Sequence, residues 1–307
     1  MGMVFKHLPV MADEVIEGLD IKPDGLYLDG TCGGGGHSFL IAERLSEKGH
    51  LICVDQDIDA LEAAGKRLEC FGDKIEFVHD NFENISAIVG TRKLDGVLLD
   101  LGVSSFQLDN AERGFSYMQS APLDMRMDRS REKSAYNIVN EYSAEELARI
   151  FRDWGEEKQA KRIADLIVRE REKKPIETTG ELADLVRRIV PAHKDPHPEK
   201  RVFQSVRVET NRELEIITPT LEAAMGCMNP GGRVAVITFH SLEDRLVKQA
   251  FAAAAKGCTC PPDFPVCVCG KKPLGTLVNR KPITASDKEL NENSRSASAK
   301  LRIFEIL

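Results

Sequence analysis

The chain has 307 residues, of which 42% are hydrophobic and 30% charged, and its formal net charge is −7. This is the composition of an ordinary soluble protein, and the length allows one large domain or two smaller ones. No apolar run is long enough to span a bilayer and residues 1–10 lack a signal-peptide core, so we expect a cytoplasmic protein.

The chain begins with the pattern of an α/β unit. Residues 8–20 carry apolar side chains at helical spacing, and Leu26-Tyr-Leu predicts a short buried strand. Asp29-Gly-Thr-Cys-Gly-Gly-Gly-Gly-His37 follows, before a predicted helix over 38–47. Glycine allows a tight turn and close approach of a ligand, and the amides that open a helix favour an anionic group. The alternative is a glycine-rich surface turn.

The glycine-rich segment lacks the signatures of two common nucleotide sites. No Gly-Lys-Ser/Thr follows it, as a P-loop requires, and G-x-G-x-x-G fails because Ser38 or Phe39 stands at its last position. A second strand, 51–54, leads to Asp55, where a carboxylate can accept hydrogen bonds from ribose hydroxyls. An adenosine ligand without a pyrophosphate fingerprint indicates S-adenosylmethionine.

The third and fourth strands end in polar residues. Strand 75–78 leads to Asp80, Asn81 and Phe82, which could face the adenine amino group and stack on the ring, although Phe82 could equally be a core residue. Strand 94–100 is continuously apolar, as in a parallel strand covered on both faces, and ends at Asp100.

Methyl transfer to an exocyclic amine requires alignment of the reactants and acceptors for the amino hydrogens. Asp100 and Ser104 stand where such acceptors are needed, and we predict both as catalytic. The alternative for Asp100 is that it only binds the cofactor.

After the fourth strand, the pattern becomes helical from residue 107 to 215. Helices are predicted over 143–154, 156–172, 178–190 and 202–215, the last continuing towards Met228, and capping boxes begin at Ser143 and Thr178. The segment 113–128 has no period and is predicted to be an ordered loop. The α/β pattern resumes with strand 233–239, helix 241–251 and strand 299–307. We therefore predict a Rossmann-like α/β sheet (1–106 and 216–307) interrupted by an all-helical domain (107–215).

Three further features leave alternatives open. His240 could be a base, a phosphate contact or a capping residue, with Ser241 and Asp244 predicted to cap the following helix. Cys258, Cys260, Cys267 and Cys269 could hold one zinc ion or form a metal-free reduced loop, and we assign no metal ligand among the site residues. The stretch 186–212 carries seven basic and three acidic residues, a net charge of +4 that suits a nucleic-acid-binding patch.

Several long motifs support a family resemblance. They are 29–38 (DGTCGGGGHS), 98–105 (LLDLGVSS), 113–117 (RGFSY), 122–128 (PLDMRMD), 203–207 (FQSVR), 231–245 and 279–284 (NRKPIT). Over nearly the whole chain, the sequence closely resembles the bacterial 16S rRNA (cytosine-N4)-methyltransferase family, RsmH or MraW. The resemblance implies methylation, by S-adenosylmethionine, of the exocyclic amine of one cytidine in the decoding region of 16S rRNA in the small ribosomal subunit.

The resemblance also implies site residues. The family's cofactor contacts fall on Gly35, Gly36, His37, Asp55, Phe82, Asp100 and Gln107, to which the glycine-rich segment adds Gly33 and Gly34. Many amino-methyltransferases carry Pro-Pro-aromatic after the fourth strand, but Asp100 is followed by Leu-Gly-Val. The aromatic that stacks on the target base is therefore left among Phe106, Phe115 and Tyr117.

The predicted RNA-facing residues lie in the helical insertion. They are Lys194, Lys200, Arg201, Arg207 and Arg212. We expect no membrane or DNA partner, and leave a homodimer open. Rival functions are a small-molecule methyltransferase, a DNA amino-methyltransferase, a non-catalytic cofactor-binding scaffold and an oxidoreductase that binds a dinucleotide.

Overall fold

The computed structural model describes residues 9–190, 197–258, 260, 264, 266 and 268–307, except for the side chains of Ser105 and Ser294. By residue contacts the chain divides into two compact units. The first comprises Met1–Gly102 and Leu214–Leu307, and the second comprises Val103–Glu213. In the described part of the chain, no helix has both the length and the apolarity to cross a bilayer.

The described elements are numbered in chain order. The strands are β1 (Leu26–Asp29), β2 (His50–Asp55), β3 (Ile75–His79), β4 (Leu94–Asp100), β5 (Met228–Thr238), β6 (Gly275–Leu277), β7 (Ile283–Thr284) and β8 (Lys300–Ile306). The helices are α1 (Ala12–Leu19), α2 (Gly36–Ala42), α3 (Ile58–Leu68), α4 (Ile85–Val89), α5 (Ser105–Asp109), α6 (Ala135–Glu141), α7 (Ala144–Asp153), α8 (Ala160–Arg171), α9 (Thr179–Ile189), α10 (Glu199–Asn211), α11 (Ile217–Gly226), α12 (Ser241–Ala255) and α13 (Asp287–Glu292).

The first unit is built on one twisted sheet. Its strand order is β3-β2-β1-β4-β5-β8-β6, with β7 paired to β8. Strands β1 to β5 pair in parallel, whereas β8 runs antiparallel to β5. This architecture confirms the predicted Rossmann-like α/β class. The strand order reverses between β1 and β4, which is where sheets of this kind bind ligands, outside the carboxyl ends of the strands.

The core of the first unit holds those strand ends in place. All four residues of 51–54, in the middle of β2, are fully buried. Helix α1 packs its Val15 and Leu19 into the apolar cluster that includes Leu51 and Cys53, as its predicted period requires. Register is strongly specified where a strand has a buried face, because a slip of one residue would exchange its two faces.

The second unit is helical and has its own apolar core, which includes Leu147, Phe151 and Val186. The predicted capping boxes at Ser143 and Thr178 are confirmed. The predicted continuous helix from 202 to Met228 is wrong. Helix α10 ends at Asn211, because Arg212 adopts a left-handed conformation with φ of 56°, and α11 starts at Ile217.

The aperiodic segment 113–128 is an ordered loop, as predicted, held by side chains that bond its backbone. Arg113 is 1% exposed and donates from Nη2 to the carbonyls of Arg126 and Met127, both at 3.0 Å. The side chain of Asn211 accepts at Oδ1 from the Met127 N–H at 2.9 Å and donates from Nδ2 to the Met125 carbonyl at 2.8 Å. These hydrogen bonds pair backbone N–H and C=O groups that a helix or strand would otherwise pair.

Gly114 is expected to be essential for this loop. Its φ is +72°, and a Cβ there would lie 2.3 Å from the Pro122 carbonyl oxygen. We expect Gly114→Ala to lower the free energy of unfolding by about 3 kcal/mol, since left-handed strain and a backbone clash add. Gly231→Ala is the matched control, because Gly231 has the same φ of +72° and the nearest atom to a Cβ there would be Lys22 Nζ at 4.0 Å. Urea denaturation should show a loss of about 1–2 kcal/mol for the control. Equal losses would contradict the clash.

Candidate active site

The glycine-rich segment lies against the sheet at the carboxyl ends of three strands. The Gly30 N–H, just after β1, donates to the Leu98 carbonyl of β4 at 2.9 Å. The Cys32 N–H donates to the Val54 carbonyl of β2 at 3.0 Å. The segment thus continues the hydrogen-bonding pattern of the sheet and is anchored at the point where the strand order reverses.

Asp55 ties the glycine-rich segment to the end of β2. Its carboxylate accepts from the Gly33 N–H at 2.7 Å and from the Asp57 N–H at 2.9 Å. Burial raises the pKa of Asp55 to about 6, and these two N–H donors oppose the shift. A carboxylate has about four acceptor positions, so Asp55 keeps capacity for the hydroxyls of a ligand.

The four consecutive glycines have different surroundings. Gly35 has a φ of +74°, and a Cβ there would lie 3.3 Å from Cα of Ala64, so the turn is pressed against α3. Gly36 is the first residue of α2. A Cβ on Gly34 would meet no atom within 4 Å. Gly34 is therefore where the backbone is open to a ligand.

Asp29 and Thr31 also hold the glycine-rich segment in place, although neither was predicted from the sequence as a site residue. Asp29 is 1% exposed and accepts from Ser38 Oγ at 2.6 Å and from the Thr31 N–H at 3.1 Å. Thr31 Oγ1 in turn accepts from the Asp100 N–H at 2.6 Å. The signal that could have found them is the set of hydroxyl and carboxyl side chains interleaved with the glycines.

Asp100 and His37 form a polar pair at the carboxyl end of β4, in which His37 is buried and the Asp100 side chain is 25% exposed. His37 Nε2 lies 3.7 Å from Asp100 Oδ2, and the His37 side chain is 6% exposed. Within the described residues, neither ring nitrogen of His37 nor Asp100 Oδ1 has a hydrogen-bond partner of normal geometry. Buried polar atoms without partners are costly, so such a pair is typical of a ligand site.

The two members of this pair are both neutral near pH 7. Burial raises the pKa of Asp100 to about 8, and the charges of Asp29 and Glu243 act in the same direction. Burial lowers the pKa of His37 to about 4, assisted by the charge of Arg67. A cationic ligand group beside Asp100 would reverse its shift and ionise the carboxyl.

The raised pKa of Asp100 predicts how stability depends on pH. Between pH 6.5 and 8 the unfolded chain has lost the proton of Asp100, whose ordinary pKa is 3.8, whereas the folded protein retains it. The free energy of unfolding should therefore fall as pH rises, by up to about 1.4 kcal/mol per pH unit. The folded-state pKa values of Asp29 and Asp55 are about 6, so both titrate mainly below this window.

Asp100→Asn should remove this slope, because the amide does not titrate. Urea denaturation at pH 6.5 and pH 8 measures it for both proteins. The exposed Asp73, which lies just before β3, provides the control variant Asp73→Asn, and this protein should keep the wild-type slope. Parallel pH profiles for wild type and Asp100→Asn would contradict the assignment.

The residues that follow β3 are held by hydrogen bonds to one another and to Gln56. Asp80 Oδ1 accepts from the Asn81 N–H and from Asn84 Nδ2, both at 2.7 Å. Asn81 Nδ2 donates to Gln56 Oε1 at 3.0 Å. Phe82 is 9% exposed, and its Cβ would lie 3.2 Å from a Cβ placed on Gly30. Phe82 is thus mostly buried beside the glycine-rich segment, and its stacking role stays a prediction.

Two predicted site residues belong to the second unit, where they bond to each other. Ser104 caps α5, and its Oγ accepts from the Gln107 N–H at 3.2 Å. Gln107 Oε1 accepts from the Ser104 N–H at 3.0 Å. This capping box fixes both side chains, and the catalytic role of Ser104 and the cofactor contact of Gln107 stay predictions.

His240 caps α12, and the predicted cap by Ser241 and Asp244 is wrong. His240 Nδ1 accepts from the Glu243 N–H at 3.5 Å, while Glu243 Oε2 accepts from the His240 N–H at 3.1 Å. Asp244 instead binds Arg302 Nε at 2.7 Å. The box forms one residue earlier than predicted because the imidazole serves as the acceptor. Glu243 is 1% exposed and raises the pKa of Asp100, so this cap also affects the site.

Comparison with known proteins identifies the family. The model of the MraW methylase family matches residues 4–307. The chain belongs to this family. A relative from Agathobacter rectalis, ribosomal RNA small subunit methyltransferase H 2, is 54% identical, covering 99% of both chains. The proteins named ribosomal RNA small subunit methyltransferase H from Clostridium botulinum (strain Loch Maree) and Heliobacterium modesticaldum are each 52% identical. These matches cover 98% and 99% of this chain and 99% of each relative.

Proposed function

We propose that the protein transfers a methyl group from S-adenosylmethionine to the exocyclic N4 amine of a specific cytidine in the decoding region of 16S rRNA. Membership of the MraW methylase family and relatives named as small-subunit rRNA methyltransferases support methylation of ribosomal RNA. The observation that carries the proposal is the pair of Asp100 and His37 beside the glycine-rich segment, in which Asp100 Oδ1 and both ring nitrogens of His37 have no hydrogen-bond partner among the described residues. A ribosomal substrate places the protein in the cytoplasm.

The polar groups at the strand ends of the first unit fit this cofactor. Asp55 has acceptor capacity for the ribose hydroxyls, and Gly34 leaves room for close approach. S-adenosylmethionine carries an ammonium and a sulfonium, and a cation beside Asp100 stabilises its carboxylate. The full proposed set is Gly33, Gly34, Gly35, Gly36, His37, Asp55, Phe82, Asp100 and Gln107. When bound, the cofactor supplies a methyl group already activated on sulfur.

Asp100 is proposed to take up the proton of the target amine. The amine forms a bond to the methyl carbon as the bond from carbon to sulfur breaks, and the nitrogen must then lose one proton. A carboxylate whose pKa lies near the working pH is an effective acceptor, and the surroundings of Asp100 move its pKa in that direction. Ser104 is proposed as a second acceptor for the amino hydrogens.

The second unit is proposed to recognise the RNA. Of its predicted basic contacts, Arg207 is bound to both oxygens of Glu213 at 2.9 Å, and Arg201 lies 3.4 Å from Glu157. Lys200 and Arg212 are exposed. Lys194 lies outside the described residues. Exposed cations suit phosphate contacts, whereas a bidentate pair such as that of Arg207 is structural.

The exposure of three aromatic residues favours one as the base-stacking side chain. Phe115 is 6% exposed and belongs to the core of the second unit. Tyr117 packs on that core, with its ring 5.5 Å from that of Phe203. Phe106 is 42% exposed. Stacking on a base requires an accessible ring face, so Phe106 is the proposed stacking residue.

The test is transfer of labelled methyl groups to small ribosomal subunits that lack the modification. Nuclease digestion and mass spectrometry should show one new N4-methylcytidine in the decoding region. Naked 16S rRNA, DNA and free cytidine serve as alternative acceptors and separate the rival substrates. Cofactor binding without transfer to any of them would favour the scaffold function and contradict the proposal.

A further inference from the structure

Three cysteine thiols converge in the segment between α12 and β6. Cys258, Cys260 and Cys269 place their sulfur atoms within 4.8 Å of one another. The Sγ atoms of Cys258 and Cys269 are 3.7 Å apart, although eleven residues separate them in the chain. Cys267 lies outside the described residues. The convergence is therefore a property of the path of the segment and not only of the close spacing of Cys258 and Cys260.

The separation of 3.7 Å matches two ligands of one tetrahedral ion. With zinc–sulfur bonds of about 2.3 Å, the edge of a regular tetrahedron of sulfurs is about 3.8 Å. A disulfide would require about 2.05 Å. The distance is thus too long for a covalent bond between the sulfurs and suits a shared zinc ion.

Apolar packing does not account for the convergence. The large apolar side chains within this segment are exposed, Phe264 by 50%, Val266 by 70% and Val268 by 74%. At its base, the Leu274 N–H donates to the Ala254 carbonyl at 2.9 Å, which closes the segment. A long connection without a buried core usually needs another constraint, and a metal ion can provide it.

Backbone N–H groups are directed at the sulfur atoms. The Cys260 N–H donates to Cys258 Sγ and the Val268 N–H donates to Cys260 Sγ, both at 3.4 Å. Such bonds stabilise thiolates, which are the form that binds metal, and they orient metal ligands.

We propose that Cys258, Cys260 and Cys269 bind a structural Zn²⁺ ion that holds the segment between α12 and β6 in one conformation. None of its ligands is among the proposed residues of the methyl-transfer site, and no step of methyl transfer is assigned to it. Its ligand chemistry is that of a thiolate-rich tetrahedral site.

The first measurement is the metal content of the full chain, expressed without a histidine tag and purified without chelators. Mass spectrometry of the elements should find about one zinc per chain, as in other structural zinc sites. The double variant Cys258→Ser/Cys269→Ser should lose at least about nine-tenths of it, because serine is a poor ligand for zinc. Cys70→Ser, which changes an exposed cysteine just after α3, is the matched control and should retain its zinc.

The second measurement uses Co²⁺ as a probe of the ligands. Cobalt added to the metal-depleted wild type and to Cys70→Ser should give the visible and thiolate charge-transfer bands of a tetrahedral sulfur site, and the double variant should not. Wild-type protein that holds no zinc and gives no such bands overturns the proposal. Iron in place of zinc, or equal zinc in the double variant, also overturns it. Because the wild type alone is sufficient for the cobalt titration, misfolding of the variant does not affect the outcome.

Discussion

Replacement of Asp100 with asparagine is expected to lower the single-turnover rate of methyl transfer by roughly 10²- to 10⁴-fold at saturating cofactor. The amide keeps the shape of the side chain, but it cannot accept the proton that the target amine must lose. The change also removes a titrating carboxyl, whose pKa burial and the charges of Asp29 and Glu243 raise to about 8. Rapid-quench measurements with labelled cofactor and unmodified small subunits give the rate directly.

The same experiment separates the two roles considered for Asp100. A near-normal rate at saturating cofactor, with weaker cofactor binding, would show that Asp100 only binds the cofactor. Asp73→Asn provides the control for the loss of one carboxylate, and it should transfer methyl groups at the wild-type rate. A slow rate in both variants would mean that methyl transfer responds to the net charge of the protein and not to the change at Asp100.

Asp55→Ala is expected to weaken cofactor binding by roughly 10- to 100-fold in Kd, because hydrogen bonds to a charged acceptor are each worth about 1.5–3 kcal/mol. The substitution removes the proposed ribose acceptor. It also releases the Gly33 and Asp57 N–H groups, which donate to Asp55 at 2.7 and 2.9 Å. Isothermal titration calorimetry with S-adenosylmethionine measures the change.

Asp55→Asn helps to separate two causes of the weaker binding, which are the lost contact with the ribose and the altered position of the glycine-rich segment. The amide oxygen can still accept from the Gly33 N–H, so the glycine-rich segment should keep its conformation better than in the alanine variant. Affinity intermediate between wild type and Asp55→Ala is the expected result. An unchanged Kd in Asp55→Ala would remove the ribose assignment, whereas a changed Kd in Asp73→Ala would show that the assay is not specific for the site.

Local patterns in the sequence were sufficient to predict the main strands of the first unit and its glycine-rich segment. The continuous apolar run at 94–100 predicts β4, and the structure has the strand over the same residues. The glycine-rich segment and Asp55 also follow from local signals, because a tight turn needs glycine and an acid must stand at the end of a strand to reach it. Strands β6 and β7 were not predicted, since two or three residues are too few to show a period.

Local conformation was less predictable where side chains compete for the same backbone groups. Both Ser241 and His240 can cap α12, and the histidine does so because Glu243 closes the box with it. Helix α10 likewise ends at Asn211, although its apolar pattern continues, because Arg212 lies in the left-handed region and interrupts the helix. Neither outcome follows from propensity alone, since the alternatives differ by only about 1 kcal/mol.

The sequence by itself determined the fold class, the family resemblance and the strand ends that carry Asp55 and Asp100. Only the tertiary structure decided that His37 lies 3.7 Å from Asp100 and that the charge of Glu243 raises the pKa of Asp100. The same holds for the distance of 3.7 Å between the sulfur atoms of Cys258 and Cys269. The physical reason is that periodicity and turn chemistry act over a few residues. In contrast, the burial and charge that set a pKa, or the distance that defines a metal site, depend on groups brought together from distant parts of the chain.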